Sequence, residues 1–393
     1  MRLSDRTLAL GRDAMTALLG VDALYRRESG DADGLAVVNL DETGELAADD
    51  FAGYPDARDR LAELADRAET LPEPDRRVYY DQLCRSTVAF IAWRQQGLPF
   101  EAQLGEFLHV PAEPAPAAEL ERLESELRQL LTGLGYGGDL RAQCATWEER
   151  HRVAAADVEP VLTELLSEAW DRTEARLLPI PAPKSDGMRV TTVSGVAFNA
   201  RCDFLARSVE INTDPILTRP ALKHLAVHEC YPGHYVQFKL RQTRYREGLA
   251  PADVLLSVVN TASSSVFEGI ADTGMAMIDW IDDDDDRIQS LLNRYRAGIG
   301  TGAAWRLHAL GWPAGRVTDW LRDASLSGGE GWVANRMAFI AAPARAVLIW
   351  SYWWGEPLVA AAWNRVPPKR RGDFLDYLHG RMHSNHTVGM FPA

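Results

Sequence analysis

Apolar residues recur at steps of three and four along most of the first half of the chain, which is the spacing of helices with one buried face. Between Pro55 and Gly97 this pattern predicts two helices, with Pro72 and Pro74 separating them. After a proline-rich spacer it predicts two more, one over "LERLESELRQLLTGLGYGG" and one over "DVEPVLTELLSEAWDRTEARLL". We therefore expect residues 1–180 to form a helical N-terminal region.

The pattern changes after this region. The segment "PIPAPKSDGMRVTTVSGVAFNARCDFLARSVEINTD" has no helical period, is rich in valine and threonine, and is interrupted by Gly187 and Gly195, so it predicts two or three short strands. Helical spacing returns in "TDPILTRPALKHLAVHE", where Pro220 suits a first helical turn. It continues from Ala250 to the C-terminus without a strand signal. These features predict a mainly α fold with a second region over residues 181–393. The alternative is one continuous domain with a central cleft.

The composition is that of an ordinary globular protein, since 46% of the 393 residues are hydrophobic and 25% are charged. The formal net charge is -14, and the chain contains no stripe of lysine or arginine. Nucleic acids and anionic membranes both attract a local excess of positive charge, so neither is an expected partner. A small molecule or a small peptide is the expected substrate, and the sequence does not indicate an oligomeric state.

No secretory or membrane-spanning segment is expected. Asp5 and Arg12 interrupt the N-terminal stretch where a secretory signal would be apolar. The longest apolar run, "AVLIWSYWWGEPLVAAAW", is broken by Glu356 and Pro357, which favours a buried helix. The cysteines lie far apart in the sequence, as in proteins of a reducing cytosol: Cys84, Cys144, Cys202 and Cys230. We therefore predict a cytoplasmic protein.

The stretch "HECYPGH" holds the first candidate chemistry. In zinc hydrolases two histidines four residues apart share one helical face, and a glutamate beside the first acts as general base. His228 and Glu229 begin such a motif, but Pro232 takes the fourth position and the next histidine is His234. On a regular helix His228 and His234 would point roughly 120° apart. Pro232 removes a backbone donor and Gly233 accepts unusual dihedral angles, so an irregular turn can bring His234 back to a metal.

A third ligand is predicted in "SSSVFEGIADTGMAM". Glu268 and Asp272 stand four residues apart there, on one face of a helix, among small and apolar residues that indicate burial. Two buried carboxylates without a cation are costly. In zinc sites with two histidines and a glutamate, an aspartate one turn later often accepts the free ring N–H of a ligand histidine. The sequence therefore predicts Zn²⁺ bound by His228, His234 and Glu268, with Asp272 supporting a ligand.

Two alternatives use the same residues differently. His224 and His228 are four apart, so a regular helix could present both to a metal, although this leaves Pro232 and His234 unexplained. The other alternative is an ordinary kinked helix that holds no metal. Cys230 lies inside the motif but has no dedicated base, so we expect a packed thiol and not a nucleophile.

The motif "HECYPGHYVQ" resembles the His-Glu-x-x-Pro-Gly-His-x-x-Gln signature of bacterial proteins grouped as domain of unknown function 885, which are similar to gluzincin metallopeptidases. The resemblance spans roughly residues 185–393, and includes "FEGIAD", where that family has Glu-Gly-Trp-Ala, and "LHALGW" around His308. It implies a helical, zinc-peptidase-like fold with a small antiparallel sheet beside the active-site helix. It also implies zinc on His228, His234 and Glu268, with Glu229 as the base.

The chain departs from that family at positions on the substrate side. The residues before His308 read "AAWR" where the family has Asp-Thr-Gly, and Arg345 stands where a glutamine is expected. His308 could hydrogen-bond a developing oxyanion, and Tyr352 or Arg336 could do the same. Two further histidines, His383 and His386, could line the cleft. A polar tail at the C-terminus would explain both of them equally well.

These observations predict a zinc-dependent hydrolase, metallopeptidase-like, that cleaves an amide bond in a peptide or peptide-like metabolite. Glu229 would take a proton from water and deliver it to the leaving amine. The alternatives are a metal-dependent enzyme of another class, such as a biosynthetic lyase on a peptidase scaffold, and a non-catalytic metal-binding protein.

Overall fold

The computed structural model describes residues 3–30, 35 and 37–392. It is 66% helix and 6% strand, which confirms the prediction of a mainly α fold. In these residues the helices are α1 (Asp5–Ser29), α2 (Tyr54–Glu69), α3 (Pro74–Gln96), α4 (Phe100–Gln103), α5 (Ala117–Gly133), α6 (Leu140–Arg150), α7 (Val158–Arg176), α8 (Arg219–Leu225), α9 (His234–Arg246), α10 (Ser264–Met277), α11 (Asp284–His308), α12 (Ala314–Ala324), α13 (Gly329–Ala341), α14 (Pro343–Ala346), α15 (Ile349–Arg365) and α16 (Arg371–His379). The strands are β1 (Val37–Asn39), β2 (Arg189–Val193), β3 (Ala200–Asp203), β4 (Ser208–Asn212) and β5 (Leu256–Val258).

The helices predicted from apolar spacing are present. The pair expected after Pro55 is α2 and α3, separated where Pro72 and Pro74 interrupt the pattern. The two later ones are α5 and α7. In α5 the buried side chains are Leu123, Leu127 and Leu131, which are four residues apart. One narrow face of this helix is therefore buried against its neighbours.

The chain forms two compact units, each assembled from separate stretches of sequence. The first comprises Met1–Ala112, Gln237–Gly269 and Trp354–Ala393, and the second comprises Glu113–Val236 and Ile270–Trp353. The predicted boundary at residue 180 therefore lies inside the second unit. The reason is packing: a core in that unit joins Leu127 and Trp147 to Ile288 and Leu292, so helices from both sides of the strand segment share one apolar interior.

The strands predicted between Gly187 and α8 form a three-stranded sheet in the order β2-β4-β3. β3 and β4 are antiparallel, with Cys202 opposite Val209, and a short turn joins them. β2 pairs with the other edge of β4 and runs parallel to it. The sheet is therefore mixed, and the expectation of an antiparallel sheet is correct only for β3 and β4. β3 packs against the segment Ala226–Cys230.

A second, two-stranded sheet was not expected from the sequence. β1 and β5 pair antiparallel, with Val37 opposite Val258, so the expectation of no strand after Ala250 is wrong. Each strand has three residues, too few for alternation of apolar and polar residues to show. The pairing also joins segments far apart in the chain, which local pattern cannot reveal.

The apolar run near the C-terminus forms α15, a helix that contains Pro357 and buries Trp350 and Trp353. None of the helices in the described part of the chain is long and apolar enough to cross a membrane.

Candidate metal centre

His228, the first predicted ligand, lies on a helix that changes its winding before it ends. Thr218 caps α8 by accepting a hydrogen bond from the Ala221 N–H at 3.1 Å, and Pro220 occupies the first turn as predicted. α8 then continues into a wider π-helical turn over Ala226–Cys230, which carries His228. Such turns are frequent at functional sites because they shift the direction of side chains relative to a regular helix.

The helix is interrupted between this turn and α9. The Gly233 N–H donates to the Val227 carbonyl at 2.9 Å, which folds the chain back on the preceding turn. A Cβ atom on Gly233 would lie 1.8 Å from the His228 carbonyl oxygen and 2.3 Å from that of Val227, so only glycine fits. α9 then begins at His234. This confirms the predicted irregular turn at Pro232.

The interruption brings the predicted ligands together. His228, His234 and Glu268 each offer a nitrogen or carboxylate oxygen, and these atoms lie within 4.8 Å of one another. The two imidazole rings have centroids 4.8 Å apart and planes 81° apart, so they approach edge to face. All three side chains are buried, at 7%, 7% and 8% exposure.

Asp272 lies one turn after Glu268 on α10 and orients the first ligand. Its Oδ1 is 2.7 Å from Nδ1 of His228, so this nitrogen donates to the carboxylate, and Nε2 is the ring nitrogen that would face a metal. Burial by itself would raise the pKa of Asp272, but His228 and His224 outweigh it and hold that pKa below its usual range. Asp272 therefore remains an acceptor for the His228 ring at neutral pH.

Small residues allow α10 to approach its neighbours closely. A Cβ on Gly274 would lie 2.6 Å from Cγ1 of Val227, in the π-helical turn. A Cβ on Gly269 would lie 2.2 Å from the carbonyl oxygen of Gly355 on α15. Glycine at these two positions lets α10, the helix that carries Glu268 and Asp272, lie this close to its neighbours. The sequence does not predict these roles, because they depend on tertiary contacts that no local pattern signals.

Glu229 is buried, and its Oε1 lies 4.0 Å from Nε2 of His228, the nitrogen left for a metal. The Glu229 carboxylate therefore lies near the predicted ligand nitrogen but is not itself one of the predicted ligands. This is where a general base for water is expected in a zinc hydrolase.

The donor set fits zinc. Two imidazoles and one carboxylate are a common ligand set of catalytic Zn²⁺, which keeps a fourth position open. Ligand atoms about 2.0 to 2.2 Å from a zinc ion lie roughly 3.5 Å apart, inside the observed limit of 4.8 Å. The carboxylate of Asp272 on a ligand histidine is the supporting contact that such sites carry.

The rival pair is also close in space. His224, His228 and Asp272 form a second group whose ligand atoms lie within 4.8 Å of one another. Nε2 of His224 is 3.5 Å from the Asp272 oxygen that accepts from His228. Asp272 would have to give up its contact with His228 to bind a metal there, whereas the group with His234 leaves that contact intact.

The remaining candidate residues have well-defined contacts of their own. Nε2 of His308 donates to the Ile340 carbonyl at 2.7 Å, which ties this ring to α13. The Arg336 guanidinium lies 5.5 Å from the centre of the Trp332 ring. Tyr352 is half-buried on α15. Their assignment to an oxyanion stays a prediction.

Two expectations about other groups can be compared with the structure directly. Cys230 is buried, and burial raises the pKa of its thiol well above the usual value, which fits the expected packed thiol. His383 is buried and bonded to the Tyr377 carbonyl at 2.9 Å, while His386 is bonded to Gln82 at 2.8 Å. His383 therefore belongs to the packed C-terminal segment, and the description of a polar tail is wrong for it, whereas His386 is exposed.

Comparison with known proteins gives a fold and no activity. No protein-family model matches the chain, and no curated protein matches it. A crystal structure described as a "putative lipoprotein from Colwellia psychrerythraea" aligns with a TM-score of 0.54 at 14% identity over 87% of this chain and 63% of that one. A "putative lipoprotein of unknown function from Shewanella oneidensis" aligns with a TM-score of 0.52 at 12% identity over 86% of this chain and 70% of that one. The chain spans less than two thirds of the Colwellia protein and shares a fold with both.

Proposed function

We propose that this protein is a zinc-dependent hydrolase that cleaves an amide bond in a peptide or peptide-like metabolite. The observation that carries the proposal is that ligand atoms of His228, His234 and Glu268 lie within 4.8 Å of one another, with the Glu229 carboxylate 4.0 Å from Nε2 of His228. Glu229 and Glu268 are buried beside two buried histidines, and Asp272 is half-buried next to them. Burying carboxylates without a cation is costly, which supports a bound metal.

Each residue has a distinct task in this proposal. His228, His234 and Glu268 would hold the metal, and Asp272 would keep the His228 ring in the tautomer that exposes Nε2. When bound, zinc acts as a Lewis acid on water and on the substrate carbonyl. Glu229 would accept a proton from the water and pass it to the leaving amine, a role worth about 10² to 10⁴ in rate.

The finer assignments belong to the same proposal. His308, Tyr352 and Arg336 are candidates for donors to the oxyanion that develops during amide hydrolysis. The motif similarity to domain of unknown function 885 supports a zinc-peptidase-like fold, and the four free cysteines agree with a cytoplasmic location. Nucleic acids and membranes are not proposed as partners.

The first test is metal content. Protein purified without chelators should carry about one zinc per chain, or take up one after zinc is added and the excess removed. Elemental analysis by mass spectrometry measures this directly. Less than about one tenth of an equivalent under both conditions would rule out the metal centre.

The second test separates catalysis from metal binding. Peptide libraries incubated with the zinc-loaded protein and analysed by mass spectrometry identify a cleaved bond. Glu229→Gln should then retain zinc but lose at least about 100-fold in the rate of hydrolysis. Glu247 is exposed and follows α9, so the control Glu247→Gln should leave both zinc content and hydrolysis unchanged. Zinc binding without any hydrolysis would favour a non-catalytic metal-binding protein, and turnover without a hydrolysed bond would favour a lyase.

A further inference from the structure

A second group of buried charges lies within the first compact unit and contains none of the predicted metal ligands. It comprises Arg76, Arg241 and Arg381 together with Asp75 and Asp253, all at most 5% exposed. Arg76 bridges both aspartates, with nitrogen to oxygen distances of 3.1 Å to Asp75 and 3.3 Å to Asp253. Arg381 pairs with Asp75 at 3.1 Å. We call these five residues the arginine cluster.

The arginine cluster carries one uncompensated positive charge. Three arginines face two aspartates, and the titratable groups packed around them are neutral. Burial raises the pKa values of Tyr79 and Tyr80, so both keep their protons. Burial, with nearby arginines, lowers the pKa of His379 to about 3 and that of His383 well below its usual value, so neither adds charge at neutral pH.

Among the described residues, Arg241 is the one arginine of the arginine cluster that makes no ion pair, although the Asp253 carboxylate acts on it from farther away. Its guanidinium donates to Oγ of Ser257 and Oε1 of Gln237, each at 3.4 Å, which is at the long limit of a hydrogen bond. Its Nε is buried and makes no hydrogen bond. The Phe267 ring lies 5.2 Å away and gives only partial compensation. Burial lowers the pKa of Arg241 to about 10, so the side chain remains charged at neutral pH.

We propose that Arg241 is the centre of a binding site for a small monovalent anion, either a halide or the carboxylate of a small metabolite. A buried cation is stable only with a counter-charge, and the cluster lacks one negative charge at Arg241. Arg241 is itself only 2% exposed, which favours a small anion. A planar guanidinium with an unused Nε–H is suited to this ligand.

The site is tested by ion-specific stabilisation of the whole protein. Thermal unfolding is measured in sodium chloride, sodium formate and sodium gluconate at equal concentration, because gluconate is too large for a buried site. We expect the midpoint to be about 3 °C higher at 100 mM chloride or formate than in gluconate. Arg241→Gln should abolish this difference. Arg244→Gln, on the same helix but paired with Asp376, should retain it.

A crystallographic measurement keeps the proposal testable if Arg241→Gln does not fold. Crystals of the unmodified protein soaked in sodium bromide should show an anomalous bromide peak in contact with the Arg241 guanidinium. Stabilisation by formate alone, without a bromide peak, would assign the site to a carboxylate. Equal unfolding midpoints in all three salts, with only water at Arg241, would overturn the proposal. Neither measurement involves zinc or hydrolysis, so its failure leaves the proposed function untouched.

Discussion

At the scale of residues, the candidate centre depends on which partner each of the two ring nitrogens of His228 contacts. The contact of 2.7 Å between Nδ1 of His228 and Asp272 engages one nitrogen, and Nε2 is the nitrogen that would bind a metal in the proposed centre. His224 reaches the same carboxylate at 3.5 Å, so it competes for Asp272 and supports the site only from outside. Whether His224 or His234 completes the metal set is therefore a question that single substitutions decide.

Paired alanine substitutions distinguish the two sets. We expect His234→Ala to abolish zinc binding, because it removes a ligand atom from the buried group. His224→Ala should leave the affinity within a few-fold, since that side chain reaches the supporting Asp272 carboxylate and is not one of the predicted ligands. Zinc content and competition against a chromogenic chelator measure both. The reverse order of effects would assign the metal to His224, His228 and Asp272.

A second residue-scale prediction concerns acid stability. His379 has a pKa of about 3 in the folded protein, lowered by burial and by Arg241 and Arg244, against about 6.5 when unfolded. The unfolded chain therefore binds the proton first, so the stability linked to neutral His379 is complete above pH 6.5 and is lost as the pH falls toward 3.

The free energy of unfolding should fall between pH 7.5 and 5.5 in the unmodified protein. In His379→Asn this fall should be smaller by about 1 kcal/mol. Urea unfolding of metal-stripped protein at both values measures the difference and excludes the metal ligands from it. An identical loss in both proteins would mean that His379 is protonated in the fold or exposed to water.

At the scale of elements, the decisive feature is the interruption between α8 and α9. A regular helix would separate His228 and His234 by roughly 120°. The π-helical turn, the break at Pro232 and the return of the Gly233 N–H to the Val227 carbonyl replace one helix with two that converge on the same point. The cause is local and lies in a few residues.

Gly233→Ala tests this element. The added Cβ would lie 1.8 Å from the His228 carbonyl oxygen, so the turn must open. We expect a loss of about 3 kcal/mol or more in the free energy of unfolding, together with loss of zinc binding. Gly372→Ala in α16, where the added Cβ meets open space, is the matched control and should change stability by less than about 1 kcal/mol. Retained zinc affinity in Gly233→Ala would show that the turn can relax.

At the scale of the whole molecule, neither compact unit is a continuous segment. The second unit takes α5 to α7 from the first half of the chain and α11 to α13 from the second half. Its core places Leu131 and Trp147 against Ile288 and Leu292. A cut near residue 180 would leave the later helices without the apolar partners that cover them.

The fragment 181–393, expressed alone, should therefore fail to fold, although it contains every predicted metal ligand. Without α5 and α6, the side chains of Ile288 and Leu292 would be exposed, and the lost burial amounts to about 1.5 to 3 kcal/mol for each such side chain. Near-ultraviolet circular dichroism and calorimetry of the fragment beside the full chain measure this. A cooperative unfolding transition in the fragment would contradict the prediction.

The sequence by itself determined the features that depend on neighbours in the chain. Apolar spacing located α2, α3, α5 and α7, and proline and glycine located the break before His234, because helical periodicity and backbone restrictions act within a few residues. The combination of His228, His234 and Glu268 was predictable for the same reason, since each lies in a short motif with a defined geometry.

The tertiary structure decided what depends on distant segments. The parallel pairing of β2 with β4, the pairing of β1 with β5 and the interleaved units all join residues whose separation in sequence leaves no local signal. The close approach of Gly274 to Val227 and the excess charge at Arg241 likewise appear only when separate elements pack. Burial gives both of the last two features a large effect on stability. A packed interior has no room for an added carbon atom at Gly274 and no water to screen an unpaired charge at Arg241.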